Sequence, residues 1–288
     1  MKFKVLYNPL SGNVNDSDIK TELTALMPYD ELDFTDITSI GNLVDFLEDV
    51  GSDTNILLVG GDGTLNRFIN DSDGMYHQFS IYYYAAGNGN DFWSDIGHKR
   101  GDKPECIDRY LENLPEVTVH GKTYKFINGI GYGIDGYCCE VGDRLKAAGK
   151  KVNYTSIAIK GLLGGYKPCD AQVILNDGSY HPPVWDFKKV WIAPSMLGRY
   201  YGGGMIPTPS QDRLNENGEL SVCIMYGKGK LKTLTVFPSI FKGEHVKHKE
   251  MVRIITGRSF TVKFTRPSAL QIDGETVLNV SEYTVEFN

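Results

Sequence analysis

The sequence predicts an α/β domain built on a parallel sheet, followed by a β-rich domain of sandwich type. Three observations carry this. In the first part, apolar runs end in glycine-rich loops and lead into helical patterns, as in Asn55 to Val59, Gly60-Gly61-Asp62-Gly63-Thr64, and a helix begun by Leu65 to Ile69. From about Lys122 short strand-like runs replace that alternation. The charge divides in the same region. Residues 1–125 hold 10 basic and 21 acidic side chains, a balance of −11, whereas residues 126–288 hold 20 and 15, a balance of +5. Two domains are therefore expected, over 1–122 and 123–288.

Phe3 to Tyr7 is read as the first strand and Asn8-Pro9-Leu10-Ser11-Gly12-Asn13 as its turn-rich exit. A helix is expected near Asp16 to Met27, and Leu43, Val44, Phe46, Leu47 and Val50 share one helical face. Ile81 to Ala86 is a further strand, followed by Gly87-Asn88-Gly89-Asn90-Asp91-Phe92. In sheets of this kind ligands bind at the carboxyl ends of the strands. In the second part strands are expected at Ala171–Leu175, Val190–Ala193, Leu220–Met225, Met251–Thr256, Ser259–Phe264 and Tyr283–Phe287. A hairpin turn is expected at Asn176-Asp177-Gly178, and a helical excursion near Asp143 to Lys160.

Composition excludes several classes. Apolar residues are 41% and charged residues 23% of the 288, so the chain is neither disordered nor a multi-span membrane protein. The first residues become polar too soon for a signal peptide. Five cysteines without CxxC spacing read as reduced thiols, and a cytoplasmic location is expected. The acidic first part argues against a nucleic-acid partner. No GxxxxGK[ST] and no GxSxG occurs, which removes P-loop enzymes and that type of serine hydrolase. Gly131-Tyr132-Gly133-Ile134-Asp135-Gly136 has a GxGxxG form after Phe126-Ile127-Asn128, but no acidic residue follows about 20 positions on, so a dinucleotide site is not assigned. His245 and His248 lack companions for a metal.

Gly60-Gly61-Asp62-Gly63-Thr64 is the most informative run. Glycines let a ligand approach the backbone, and exposed amides with a helix N-terminus suit phosphate. A carboxylate there would repel phosphate unless it binds magnesium or takes a proton, so Asp62 is a candidate for either, or simply a cap of a tight turn. Asp91, after the second glycine loop, could face Asp62 or cap a helix. The Asn8-Pro9-Leu10-Ser11-Gly12 loop offers a third wall.

These runs, together with Tyr201-Gly202-Gly203-Gly204-Met205 and Asp273-Gly274-Glu275, stand in the order seen in the diacylglycerol kinase catalytic-domain family, which the chain resembles over nearly its whole length. The family also holds sphingosine kinases and bacterial lipid kinases. The resemblance implies an N-terminal, NAD kinase-like α/β domain that holds ATP and a C-terminal β-sandwich that helps hold the lipid. Its nucleotide contacts fall on Asn8, Pro9, Ser11, Gly12, Thr38, Gly60, Gly61, Gly63, Thr64, Asn66, Gly87, Asn88 and Asn90. The proton acceptor falls on Glu275 or on Asp62. Magnesium ligands fall on Asp91, Glu216, Asn217 and Glu219.

The sequence departs from the family pattern in three places. Arg67 stands where the family has Glu, Asn88 where it has a hydroxyl residue, and Glu216-Asn217-Gly218 where it has Asp-Asp-Gly. The resemblance implies an ATP- and Mg²⁺-dependent lipid kinase acting on diacylglycerol or a related lipid alcohol at a membrane surface, with a homodimer as a candidate assembly. Arg144, Lys146, Lys150 and Lys151 with Ile157, Ile159, Leu162 and Leu163 are a candidate for peripheral, reversible membrane contact, and equally read as a buried helix with solvated lysines. The alternatives are an NAD kinase and a catalytically silent nucleotide- or lipid-binding regulator.

Overall fold

The computed structural model describes residues 1–12, 16–178 and 183–287; Asn13 of the first loop lies outside them. The chain divides into two compact units, Met1–Asn113 and Leu114–Asn288.

The first unit runs β1 (Lys2–Tyr7), α1 (Asp16–Leu26), β2 (Glu31–Asp36), α2 (Leu43–Glu48), β3 (Asn55–Gly60), α3 (Asp62–Asp71), β4 (Ile81–Ala85), α4 (Asp91–Asp95), β5 (Glu105–Cys106) and α5 (Asp108–Leu111). The sheet order is β2-β1-β3-β4-β5, parallel except for the last strand. β3 is central, and Ile56 to Val59 are wholly buried, as a parallel strand covered on both faces requires. Ile19 and Leu23 of α1 close one face over Phe3, Val5, Leu57 and Val59. β2 was not foreseen from the sequence. Exposed Glu31 and Asp33 alternate with half-buried Leu32 and Phe34, so this strand at the sheet edge lacks a continuous apolar run. β1 lies between β2 and β3, which places a reversal of strand order beside it. β1, β2, β3 and β4 end on one edge.

The second unit runs β6 (Glu116–Val119), β7 (Lys122–Lys125), β8 (Gly129–Tyr132), α6 (Ile134–Ala147), α7 (Tyr154–Lys160), β9 (Cys169–Leu175), β10 (Val184–Val190), β11 (Ser195–Met196), β12 (Leu220–Met225), α8 (Lys230–Val236), β13 (Val252–Gly257), β14 (Ser259–Ile272) and β15 (Glu275–Glu286). The order β13-β12-β11-β8-β14-β15-β6-β7 is extended by β9 and β10, which join through the first half of β14. β14 pairs β9 over Phe260–Phe264 and β8 over Leu270–Ile272. The register shifts between Lys263 and Ser268, around Pro267, which cannot donate to a ladder. One long strand thereby serves two parts of the sandwich-like sheet.

Several sequence expectations change here. β6 and β7 form a hairpin through His120 and Gly121, both at positive φ, and β6 pairs with β15. The expected boundary at 122/123 falls inside this hairpin, and the compact units divide before it. Val190–Ala193 is not a strand. β10 ends at Val190 after Lys189 at φ 55, and Ile192 makes single bridges to Gly133 and Met225. The helical excursion starts earlier than Asp143, at Ile134, and Gly136 in its first turn packs its backbone on Ala269; a Cβ there would lie 1.9 Å from the Ala269 carbonyl oxygen. Asn176–Gly178 does follow β9, and β10 pairs back on it, but residues 179–182 of the connection lie outside the described residues.

Candidate active site

The three glycine-bearing loops of the first unit interlock at the strand ends. Asn8 Nδ2 donates to Thr64 Oγ1 at 2.9 Å, and Ser11 Oγ lies 3.0 Å from the same oxygen. Asn8 Oδ1 accepts from the Leu10 amide at 2.9 Å, which folds the loop back on itself. Gly12, at φ 70, passes so near the loop after β4 that a Cβ would lie 2.5 Å from the Ala86 carbonyl oxygen. Gly61 and Gly87 meet backbone to backbone. A Cβ on Gly87 would sit 2.5 Å from Gly61 Cα. Gly60 is packed under the Thr64 side chain, and its carbonyl accepts from the buried Tyr83 hydroxyl at 3.0 Å. Gly87→Ala is therefore expected to prise the loops apart, at a stability cost of about 2 kcal/mol. A thermal melt would check it.

Asp62 has a defined task. Its two carboxylate oxygens accept from the backbone amides of Asp91 and Phe92, each at 2.9 Å. It thus caps α4 from a different segment of the chain and joins the second and third loops. Asp91 is buried at the start of α4, so the two aspartates are neighbours through Asp91's amide. Asn90 occupies the left-handed region at φ 52 and donates its Nδ2 to the Gly87 carbonyl at 2.8 Å. α3 opens at Asp62 with Gly61 as its N-cap, so a ten-residue helix points its N-terminus into this loop cluster. Asn66 is buried on that helix, whereas Arg67 and Asn88 are exposed. Thr38 stands just beyond β2 on the same sheet edge. Its amide and hydroxyl both donate to Asp36 Oδ1, at 2.8 and 2.7 Å. Asn8 to Gly12, Thr38, Gly60 to Asn66 and Gly87 to Asn90 are thus gathered at the carboxyl edge of one sheet.

The second unit holds an acidic turn. Ile272 pairs with Glu275, and Asp273 (φ 44) and Gly274 (φ 98) form the two-residue turn between β14 and β15. Asp273 is buried. Its carboxylate accepts the amides of Ile127 at 2.6 Å and of Asn128 and Gly129 at 2.9 Å. β8 starts at Gly129, at the end of the segment these side-chain bonds hold. Buried Arg213 holds the same segment from its other side, with Nη1 donating to the Ile127 carbonyl at 2.9 Å and Nη2 to Asn128 Oδ1 at 3.1 Å. Glu275 itself is exposed at the start of β15.

Behind the turn lies an acid that sequence reasoning missed. Asp135 is buried in the first turn of α6, and burial pushes its carboxyl up to about 6, against the lowering effect of the Gln271 amide. Gln271 Nε2 donates to Asp135 Oδ2 at 3.0 Å, and Gln271 Oε1 accepts the Gly274 amide at 2.5 Å. Gly131 leaves room for the carboxylate, since a Cβ there would lie 1.5 Å from Asp135 Oδ2. Gly202 passes beside Oδ1, where a Cβ would stand 3.8 Å away. Gly202, Gly203 and Gly204, all at positive φ, close a tight turn between Tyr201 and Met205. The signal for Asp135 was present in Gly131–Gly136. Those glycines serve packing around a carboxylate and against β14, not a dinucleotide.

The expected metal ligands are not gathered. Among the described residues no group of three or more His, Cys, Asp or Glu side chains is placed to hold a metal ion. Glu216 and Asn217 are exposed, and Glu219 is half-buried. Asn215, not singled out from the sequence, shapes that loop. Its Oδ1 accepts the Glu219 amide at 2.7 Å, and its Nδ2 donates to the Asp212 and Glu219 carbonyls at 2.7 and 2.9 Å.

Interlocked glycine-bearing loops at the strand ends of a parallel sheet, where ligands bind in folds of this kind, on a chain that continues into a β-sandwich-like unit, define the architecture against which known proteins are compared. Residues 2–122 match the family model described as the diacylglycerol kinase catalytic domain, and residues 128–285 the YegS C-terminal NAD kinase beta sandwich-like domain. The chain belongs to this diacylglycerol kinase family. Diacylglycerol kinases of Mycobacterium tuberculosis strains CDC 1551 / Oshkosh and ATCC 25618 / H37Rv are each 26% identical over 220 residues, covering 74% of this chain and 67% of theirs. A crystal structure from Bacillus anthracis strain Sterne, described as a diacylglycerol kinase, superposes with a TM-score of 0.61 at 16% identity, over 99% of this chain and 93% of that one. At that identity it speaks for the fold.

Proposed function

We propose that the chain is an ATP-dependent lipid kinase that transfers the γ-phosphate to the hydroxyl of diacylglycerol or a related lipid alcohol. The observation that carries this is the interlocked strand-end loops, in which Gly61 meets Gly87 and Asn8, Ser11 and Thr64 close on one another. Such a cradle, with the N-terminus of α3 behind it, fits a polyphosphate. The name carried by the mycobacterial relatives supports the lipid acceptor. The donors also fit magnesium carried on ATP, which needs only one or two carboxylates beside phosphate oxygens and water, so an ungathered Glu216, Asn217 and Glu219 is no obstacle. When bound, the ion would neutralise charge on the transferring phosphate. Among the described residues no helix is long and apolar enough to cross a membrane.

In this mechanism the loop amides orient the phosphates and the protein works chiefly by positioning. Glu275 takes the proton of the acceptor hydroxyl. The oxygen then forms a bond to the γ-phosphorus as the bond to ADP breaks. Asp62, with both oxygens given to α4, holds the cradle together. The experiment is transfer of the ATP γ-phosphate to lipids in mixed micelles with Mg²⁺. Glu275→Gln is expected to lower turnover by about a hundredfold while ATP binding persists. Asp62→Asn is expected to weaken ATP binding as well. NADP formed from NAD instead would favour the NAD kinase alternative. ATP bound without any product would favour a silent regulator.

A further inference from the structure

His245 is fully buried in the 3₁₀ turn Glu244–Lys247, ahead of β13. Its Nε2 lies 2.9 Å from the Pro207 carbonyl oxygen. A carbonyl only accepts, so Nε2 carries the hydrogen and Nδ1 is left as a lone pair. Burial lowers the imidazole below the ordinary histidine value, against the opposite pull of the Pro207 carbonyl, so the ring is neutral at pH 7. Cys223 Sγ on β12 is 3.5 Å from Nε2 and serves as a second, weaker acceptor of the same hydrogen. Nδ1 is buried with no hydrogen-bond partner among the described residues. An unsatisfied buried acceptor is unfavourable, and the bond to Pro207 is the contact that offsets it. Pro207 follows the glycine turn directly. Tyr201 and Met205 exchange amide–carbonyl bonds at 3.0 Å across Gly202, Gly203 and Gly204. Next, Ile206 donates its amide to the Ile240 carbonyl at 3.0 Å, and Pro209 seats on Gly243, where a Cβ would stand 2.9 Å from Pro209 Cβ. Thr208 Oγ1 reaches back to the Gly198 carbonyl at 3.1 Å. Tyr201, Met205, Cys223 and Ile240 share one buried core. The turn therefore hangs from residues 240–245, and at Pro207 its support is a side chain.

We propose that His245 is a positioning residue: by holding Pro207 it fixes the Gly202–Gly204 turn beside Asp135, and through it the acidic turn that presents Glu275. Gly202 passes beside Asp135 Oδ1, and Gln271 links Asp135 Oδ2 to the Gly274 amide. Further along the same loop Arg213 grips Ile127 and Asn128, whose amides Asp273 holds. A shift at Pro207 thus reaches the supports of Glu275 by two routes. Displacing a reacting group slightly lowers its rate without altering its chemistry. In the sequence His245 and His248 lack companions for a metal; the fold gives His245 a different task. The proposal rests on the kinase reading for its consequence, but the latch itself can be measured without turnover.

The ring is tested first. Nitrogen NMR of the full chain with labelled histidine is expected to show, near about pH 7.5, a neutral His245 with its hydrogen on Nε2. Hydrogen exchange of the Tyr201 and Met205 amides is then compared between wild type and His245→Leu. It should quicken about tenfold, the effect of losing one well-made hydrogen bond. In the micelle assay the same variant should lose about tenfold in turnover with an unchanged KM for ATP. His245→Gln, whose amide nitrogen can reach Pro207, should bring both readings to within about twofold of wild type, whereas the shorter His245→Asn should not. The Gln and Asn pair carries the comparison if His245→Leu fails to fold. The proposal is overturned by a hydrogen on Nδ1, by exchange unchanged in His245→Leu, or by Gln and Asn variants that behave alike. A turnover loss matched by a rise in the KM for ATP would overturn it too. A wild type that phosphorylates no lipid would fail the kinase reading alone, and the exchange rates would still decide the latch.

Discussion

Replacing Asp273 by alanine is expected to destabilise the second unit by on the order of 4 kcal/mol, the largest effect of any single substitution considered. The carboxylate accepts three buried backbone amides from consecutive residues, Ile127, Asn128 and Gly129. Alanine leaves all three donors without this partner, and each unsatisfied buried donor costs about 1–3 kcal/mol. Arg213, which holds the same segment through the Ile127 carbonyl and Asn128 Oδ1, cannot replace an acceptor. Position 273 is also left-handed at φ 44, a conformation that Asp tolerates better than Ala. The melting transition should fall by about 10 °C. Asp273→Asn keeps the shape and one acceptor oxygen and should lose less than half as much. A change under roughly 3 °C for the alanine variant would show that water or rearranged backbone satisfies these amides. Lipid phosphorylation should fall in parallel, because the same turn presents Glu275.

How far this site was legible in the sequence depended on the kind of force involved. Glycine loops after apolar strands were legible, because close backbone approach admits few other residues. Gly12 at Ala86 and Gly61 at Gly87 are contacts of that kind. The strand-end grouping of Thr38 with the other loops was reached only through family resemblance, since nothing in Asp36-Ile37-Thr38 marks it locally. What stayed hidden were side chains whose importance lies in partners far along the chain. Asp273 answers amides about 145 positions away, Gln271 an acid 136 positions away, and Asn215 works through its own loop. β2 was hidden by its acidic exposed face, and the second half of β14 by Pro267, which its bulge accommodates. The roles of Asp62 show the same limit. Proton acceptor, metal ligand and cap were all open from the sequence, and only the distances to Asp91 and Phe92 assign it to joining loops.

The second large effect should come from Asp135, and it should depend on pH. Burial lifts this carboxyl from the usual carboxylate range to about 6. A group with a raised folded-state value is favoured in its protonated form by the fold. Below about pH 4 the acid is neutral in both folded and unfolded chains and has no differential effect. Between about pH 4 and 6 the unfolded chain releases the proton first, so stability falls as pH rises. Above about pH 6 the full penalty is present, on the order of 3 kcal/mol. Asp135→Asn keeps an acceptor for Gln271 Nε2 and removes the charge. Urea unfolding followed from pH 4 to 8 should therefore show the variant more stable than wild type at pH 7.5 and the difference vanishing near pH 4. A pH-independent difference would mean that Asp135 is solvated or paired well enough to stay ionised. Natural cores seldom retain a carboxyl at such a cost without use for it. Asp135 sits behind the Gly274 amide through Gln271 and beside Gly202, so its charge state bears on the turn that presents Glu275. The stabilised variant should accordingly be a poorer kinase, with turnover lowered more than ATP binding. A variant that gained stability and kept full turnover would make the buried acid a purely structural liability.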